Sequence, residues 1–214
     1  EIPESAAEMQ RLVEAFAAAA EQGLGVYERT REQLTDLFLA HGLAHGGSFT
    51  RLSFHDTMNT TTTRDGAVSV ARAEQDRLPA VVALSNRGDH HGNERDPEDP
   101  PTMRPAALRD LAAAHREGFE VADPAAVLLN QPYLGSQEIR ADGAKFRLLA
   151  EDAREADLAL GAVQAEFLRE FLLGAAATEE LHEPGTDWIT EDREHIDALA
   201  YACKRSWDTF RDLQ

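Results

Sequence analysis

The sequence predicts an α/β domain, a three-layer sandwich in which a mostly parallel sheet is flanked by helices. Three observations predict it. Residues 81–84 and 127–129 are short apolar runs of buried-strand length; stretches with helical spacing of apolar residues lie between and after them; and the two kinds of segment alternate along the chain. The 214 residues are expected to form a single domain, with N-terminal helices over 1–45 and sheet, loops and a closing helix over 46–214.

Composition narrows the function classes. Twenty-one basic residues against 39 acidic ones give a formal charge of −18, which argues against partners rich in phosphate, whether nucleic acid or anionic lipid. A hydrophobic fraction of 43% is ordinary for a folded chain, and no apolar run is long enough to span a bilayer. Cys203 is the one cysteine, so no intramolecular disulfide forms, and a reducing, cytoplasmic setting is expected. Nineteen arginines against Lys145 and Lys204, with many alanines, have the look of a bacterial chain encoded by GC-rich DNA.

In chain order, Met9, Leu12, Val13 and Phe16 recur at the spacing of one helical face, and Ser5 suits the cap. Gly23 and Gly25 are expected to interrupt this helix. A second one then places Leu34, Leu37 and Phe38 inward and stops at Gly42. Residues 49–55 alternate as a short strand, and 59–66 read as a polar loop. The 81–84 strand ends in Asn86, Arg87, Gly88 and Asp89, and a loop carrying Pro97, Pro100 and Pro101 follows. Pro105 opens a helix closed by Gly118; the 127–129 strand is stopped by Asn130, Gln131 and Pro132; 147–157 reads as a charged helix, and about 190–212 as the last one. Residues 160–168 are ambiguous. A strand would put Gln164 and Glu166 on one face, while Val163, Phe167 and Phe171 repeat every four residues and the local propensities favour helix.

His55 and Glu166 stand out chemically. An imidazole at the end of a strand, before Asp56 and a polar loop, can ligate a metal, shuttle protons, or simply cap the strand by hydrogen bonding. A carboxylate among Val163, Ala165 and Phe167 is costly to bury without a partner or a role, and it suits a general base; an exposed helical glutamate is the other reading. Glu179-Glu180-Leu181-His182 has the Glu-x-x-His spacing of di-iron bundles, and Arg51 to Asp56 resembles the distal motif of haem peroxidases. An all-α haem or di-iron protein is therefore one alternative.

Taken in order, several short segments resemble the C-terminal two thirds of the N-formylglutamate amidohydrolase family, zinc hydrolases related in fold to zinc carboxypeptidases and aspartoacylases. They are Phe54-His55-Asp56, Leu84 to Asp89, Asn130-Gln131-Pro132-Tyr133-Leu134-Gly135, Arg140, and Gln164-Ala165-Glu166 before a closing helix. The resemblance implies hydrolysis of an N-acyl, N-formyl-like amide on a small acidic amino acid. His55 would ligate zinc and Glu166 would deprotonate a zinc-bound water. Arg140 and Arg87 would clamp the substrate carboxylate, and Asn130 and Tyr133 would shape the pocket. It also requires 160–168 to be a strand. Ser53 stands where the family has aspartate, and Asp56 where it has serine. The family's Pro-His-x-Gly segment and its acidic partner, which supply the other zinc ligands, have no counterpart in this sequence, so further ligands would come from Asp56, His90 or His91. Loss of the metal half would instead leave a non-catalytic relative that serves as a binding or partner subunit, in an oligomer or with another chain.

Overall fold

The computed structural model describes residues 5–62, 69–185 and 187–214. It is an α/β structure with an open four-stranded sheet in the order β1 (Gly47–Thr57), β6 (Leu158–Leu168), β4 (Val82–Ser85), β5 (Val127–Leu129). β1 runs parallel to β6 along its whole length, and β4 runs parallel to β5. The central β4–β6 junction is antiparallel. Residues 60–62 of the expected polar loop are strand β2 (Thr60–Thr62), paired with β3 (Ser69–Ala71); 63–66 lie outside the described residues. With a sheet at the centre, the all-α haem or di-iron alternative is overturned.

The ambiguous segment at 160–168 is strand. β6 is hydrogen-bonded on both sides, and every residue from Gly161 to Phe167 is buried. Two ladders and burial on both faces outweigh helix preferences of at most ~0.7 kcal/mol per residue. One face of the sheet carries Leu52, Val82, Leu84, Val163, Ala165 and Phe167 against α2 (Pro105–Gly118) and α7 (Arg193–Asp212), whose Leu108, Leu111 and Phe210 complete the main core. Each such side chain contributes on the order of 1.5–3 kcal/mol by leaving water. The other face is covered at its lower half by α3 (Gln137–Leu148), through Ile139 and Phe146, and by Leu39 of α1 (Ala6–His45), so helices lie on both sides of the sheet.

Three helical expectations change. Gly23 and Gly25 do not interrupt α1, which is continuous for 40 residues because the alanines around them favour helix more than two glycines weaken it. Leu34, Leu37 and Phe38 do not face inward; Thr35, Leu39 and Gly42 do, with Gly42 set against Leu158, and the helix ends at Gly46 with φ 70°. The charged helix expected at 147–157 is two, α3 and α4 (Ala150–Glu155), broken at Leu149. Ser5 does cap α1, accepting from Glu8 N at 3.2 Å. Between β6 and α7 the chain adds α5 (Arg169–Leu173) and α6 (Ala175–His182). No helix among the described residues is long and apolar enough to cross a membrane.

Candidate active site

His55 and Glu166 are Cα partners across the parallel β1–β6 ladder. Directly paired residues of neighbouring strands share a face ~4.8 Å apart, so both side chains rise from the same side of the sheet near the carboxyl ends of two strands. Alternation adds Ser53 and Thr57 from β1, Gln164 from β6 and Ser85 from β4 to that face. The result is a polar stripe that meets the N-terminal end of α3.

Glu166 is 6% exposed, yet its partners are neutral. Thr57 Oγ1 donates to Oε1 at 2.5 Å and Gln164 Nε2 to Oε2 at 3.0 Å. Gln164 is fixed in turn by accepting from Ser136 N at 2.7 Å, which orients its amide so that the nitrogen faces the carboxylate. His55, with its side chain 41% exposed, has Nε2 2.9 Å from Ser53 Oγ. Ser53 gives its one proton to Glu138 Oε2 at 2.6 Å, so its oxygen accepts from His55. That arrangement puts the imidazole proton on Nε2 and leaves Nδ1 as the basic nitrogen of the neutral ring. Glu138 also accepts from the Tyr27 hydroxyl. The Ser53 hydrogen bond, then that of Tyr27, hold the Glu138 carboxyl below its ordinary range, and the same bond to Glu138 raises the Tyr27 phenol.

The other expected site residues lie elsewhere, and the antiparallel junction is the reason. β4 and β5 run opposite to β1 and β6, so the loops after them leave the sheet at its other end. Arg87 donates to Asp99 from Nε at 3.1 Å and to Gly135 O from Nη1 at 2.7 Å, while Arg140 Nε stands 3.4 Å from the same Asp99. Neither guanidinium turns toward Glu166. Asn130, with φ 53°, accepts from Asn86 N and donates to Asn86 Oδ1 and Asp89 O; it builds the loop junction. Tyr133 does join the polar face: its hydroxyl accepts from Arg72 Nη1 at 2.6 Å, and its carbonyl from Ser85 Oγ. Asp56 is bound by Arg169, which holds its carboxyl low, and His90 and His91 are exposed, their rings in contact at a tilt of 47°.

Four residues were missed. Ser53 was legible as the i−2 neighbour of His55 on an alternating strand. Glu138 sits in an ordinary-looking first helical turn, and Tyr27 and Arg72 come from distant segments, so local sequence carried no signal for them. Arg72 also donates from Nε to Met58 O at 2.7 Å, which keeps the guanidinium beside the end of β1.

His55 and Glu138 offer a nitrogen and an oxygen 3.9 Å apart. Among the described residues no group of three or more His, Cys, Asp or Glu side chains could hold a metal ion, whereas catalytic zinc takes three protein ligands. The donor set among the described residues therefore falls short of the three ligands that the implied zinc takes. A cavity of about 710 Å³ lies apart from this stripe, between the 100–105 loop, α3, α4 and the start of β6, and is lined by Met103, Phe146, Arg147 and Leu160.

No family model, no curated protein and no solved structure matches this chain.

Proposed function

We propose that the chain is a hydrolase that cleaves an acyl bond, of the N-acyl amide kind, in a small substrate bearing a carboxylate, and that its chemistry is carried by Glu166 and His55. One observation carries this reading: a buried carboxylate with no cationic partner among the described residues stands beside an accessible imidazole whose Nδ1 is not engaged by them, on paired strand positions. A water held between them would lose its proton to Glu166 as it attacks the carbonyl. Glu166 would pass that proton to the free Nδ1 of His55, and Nδ1 would deliver it to the leaving nitrogen as the C–N bond breaks, which returns both residues to their starting states. General acid–base help of this kind contributes typically ~10²–10⁴-fold. Thr57 and Gln164 keep Glu166 in place, and Ser53 with Glu138 keeps the ring.

Arg72 is the cation suited to the substrate carboxylate. Nη1 is taken by Tyr133 and Nε by Met58 O, so among the described residues Nη2 remains for a ligand. No step is routed through a metal. The family likeness, including its relation to zinc carboxypeptidases, belongs to this proposal and rests on the short motifs alone. A non-catalytic binding subunit is the competing reading, favoured by the use of Arg87 and Asn130 in loop construction rather than at the site.

The test measures acid release from N-formylglutamate and a small panel of N-acyl acidic amino acids, with and without EDTA. Hydrolysis by the natural chain that falls at least ~100-fold in Glu166→Gln and in His55→Asn, with unchanged thermal unfolding, supports the reading. Arg72→Met should raise KM more than it lowers kcat. An inactive chain, or a Glu166→Gln form as active as the parent, leaves the binding subunit. Activity that EDTA abolishes and zinc restores would bring the metal back.

A further inference from the structure

α1 has an apolar surface that, apart from the bond of the Tyr27 hydroxyl to Glu138, its own chain does not use. Residues 6–30 are exposed except for half-buried Gly25, an arm of roughly 37 Å at 1.5 Å per residue. Ten of the large apolar side chains that stay exposed belong to this helix, at 40–68% exposure. Charge is confined to one side. Glu8, Arg11, Glu14, Glu21, Glu28 and Arg29 fall within roughly 160° of the helical wheel, and the remaining arc of roughly 200°, centred near Met9, Phe16 and Tyr27, carries no charge over 6–30. Taking ~150–200 Å² for a large apolar side chain, the half-exposed ones in that stretch present on the order of 700 Å². That approaches the ~800 Å² per partner of a standard interface, before the alanines between them are counted.

Gly23 is a second, separate observation. A glycine in mid-helix weakens the helix relative to alanine, and a Cβ built there would meet nothing within 4 Å, so nothing in the chain itself requires it. A reason appears when two copies of the arm are laid antiparallel about a two-fold axis at Ala19 and Ala20. Phe16 of each then falls opposite Gly23 of the other, large against small, with Leu12 opposite Tyr27 and Met9 opposite Thr30. The folded bodies end up at opposite ends of the helix pair.

We propose that the N-terminal half of α1 is the interface of a symmetric homodimer, with Phe16 of one copy seated over Gly23 of its partner. The isologous geometry brings no like charges together in a chain of net −18, because the seam is neutral. A membrane surface is the less suited occupant. Helices that lie on bilayers carry Lys and Arg on their polar face, and here that face is mainly acidic.

Sedimentation velocity of the full chain across the micromolar range tests this, with helix content followed by circular dichroism. The natural chain is expected to be a dimer that dissociates on dilution. Gly23→Phe and Phe16→Gly, each alone, should raise the dissociation constant about 30-fold or more while helix content holds. The double variant Phe16→Gly/Gly23→Phe, which restores one large and one small residue at each crossing, should bring the dimer back. A natural chain that stays monomeric, a double variant that stays apart, or a monomer that co-sediments with neutral phosphatidylcholine vesicles would each overturn the proposal. None of these outcomes depends on hydrolysis, so the dimer and the enzyme stand or fall separately.

Discussion

Arg87 grips Asp99 through two nitrogens, from Nε at 3.1 Å and from Nη2 at 2.5 Å, while its Nη1 holds the Gly135 carbonyl. This guanidinium fastens the loop after β4 to the loop after β5, at a residue whose own φ is 73°. The hydrogen bonds from Arg87 are the first cause holding the Asp99 carboxyl below its usual range. Arg87→Lys keeps the charge and loses the fork, so it should lower the melting temperature by several degrees and leave KM for the acyl substrate unchanged. A variant of native stability with a raised KM would return Arg87 to the substrate.

His115 sets an acid limit on stability. Burial among Phe119, Phe167 and Trp207 pushes its pKa down to about 4, against a weaker opposing effect of its bond to Leu111 O. The sign follows from which state takes the proton. Between the ordinary value near 6.5 and about 4, the unfolded chain binds a proton that the folded chain refuses. Stability from this residue is complete above pH 6.5 and falls with the pH through that window, by roughly 3 kcal/mol at the low end. Urea titrations of the natural chain and of His115→Leu at a pH near neutrality and at one just above 4 measure it. The leucine form should lose distinctly less stability on acidification, and equal losses in both would refute the assignment.

Much of the arrangement was readable in the residues, and the parts that were not share a cause. Three of the four strands of the main sheet lie where apolar runs or alternation put them; the residues leave 160–168 open between strand and helix, and the meeting of His55 with Glu166 follows once it is extended. Strand direction was not readable. Val82 to Leu84 has the same side chains whichever way it runs, so the antiparallel β4–β6 junction, which parts Arg87 and Asn130 from Glu166, has no local signature. The orientation of α1 was hidden for a related reason: its most apolar stripe is not the one that meets the sheet, and the buried contacts fall to Thr35, Leu39 and Gly42. Tyr27, Glu138 and Ser53 become neighbours only through that crossing.

Asp142 ties α1 and β1 to α3. It is 2% exposed, accepts from Arg31 Nη1 at 2.7 Å, and has Arg51 Nε at 3.6 Å from Oδ2, which has no hydrogen bond. Burial raises its pKa despite both arginines, so the folded chain holds this proton more readily than the unfolded one, and the site loses stability as pH rises through the folded value. Asp142→Asn keeps an acceptor for Arg31 and removes the burial penalty, so it should cost less than ~1 kcal/mol at neutral pH and flatten this dependence. Asp142→Leu leaves Arg31, 14% exposed, without the acceptor that asparagine retains as well as without a counter-charge, and should cost about 3 kcal/mol. Denaturant unfolding of the pair decides it; equal losses would mean that α1 is held by its apolar contacts alone.

The crossing of α2 and α7 is closest at Gly118, where a Cβ would stand 1.9 Å from Ser206 Oγ, 3.0 Å from Ser206 Cβ and 2.9 Å from Ala202 O. Ser206 is fully buried and spends its hydroxyl on Ala202 O at 2.8 Å, so it cannot rotate away without losing that bond. α7 must therefore back off to admit any side chain at 118, opening the contact of Phe210 and Trp207 with the core. Gly118→Ala should cost about 2 kcal/mol or more, in spite of the helix preference that alanine brings. Ser206→Gly removes both serine contacts, leaving the backbone oxygen of Ala202, so Gly118→Ala/Ser206→Gly should recover part of the loss. A thermal or urea double-mutant cycle reads this as a favourable coupling energy between the two positions. Additive losses would show that the helices are not in contact here.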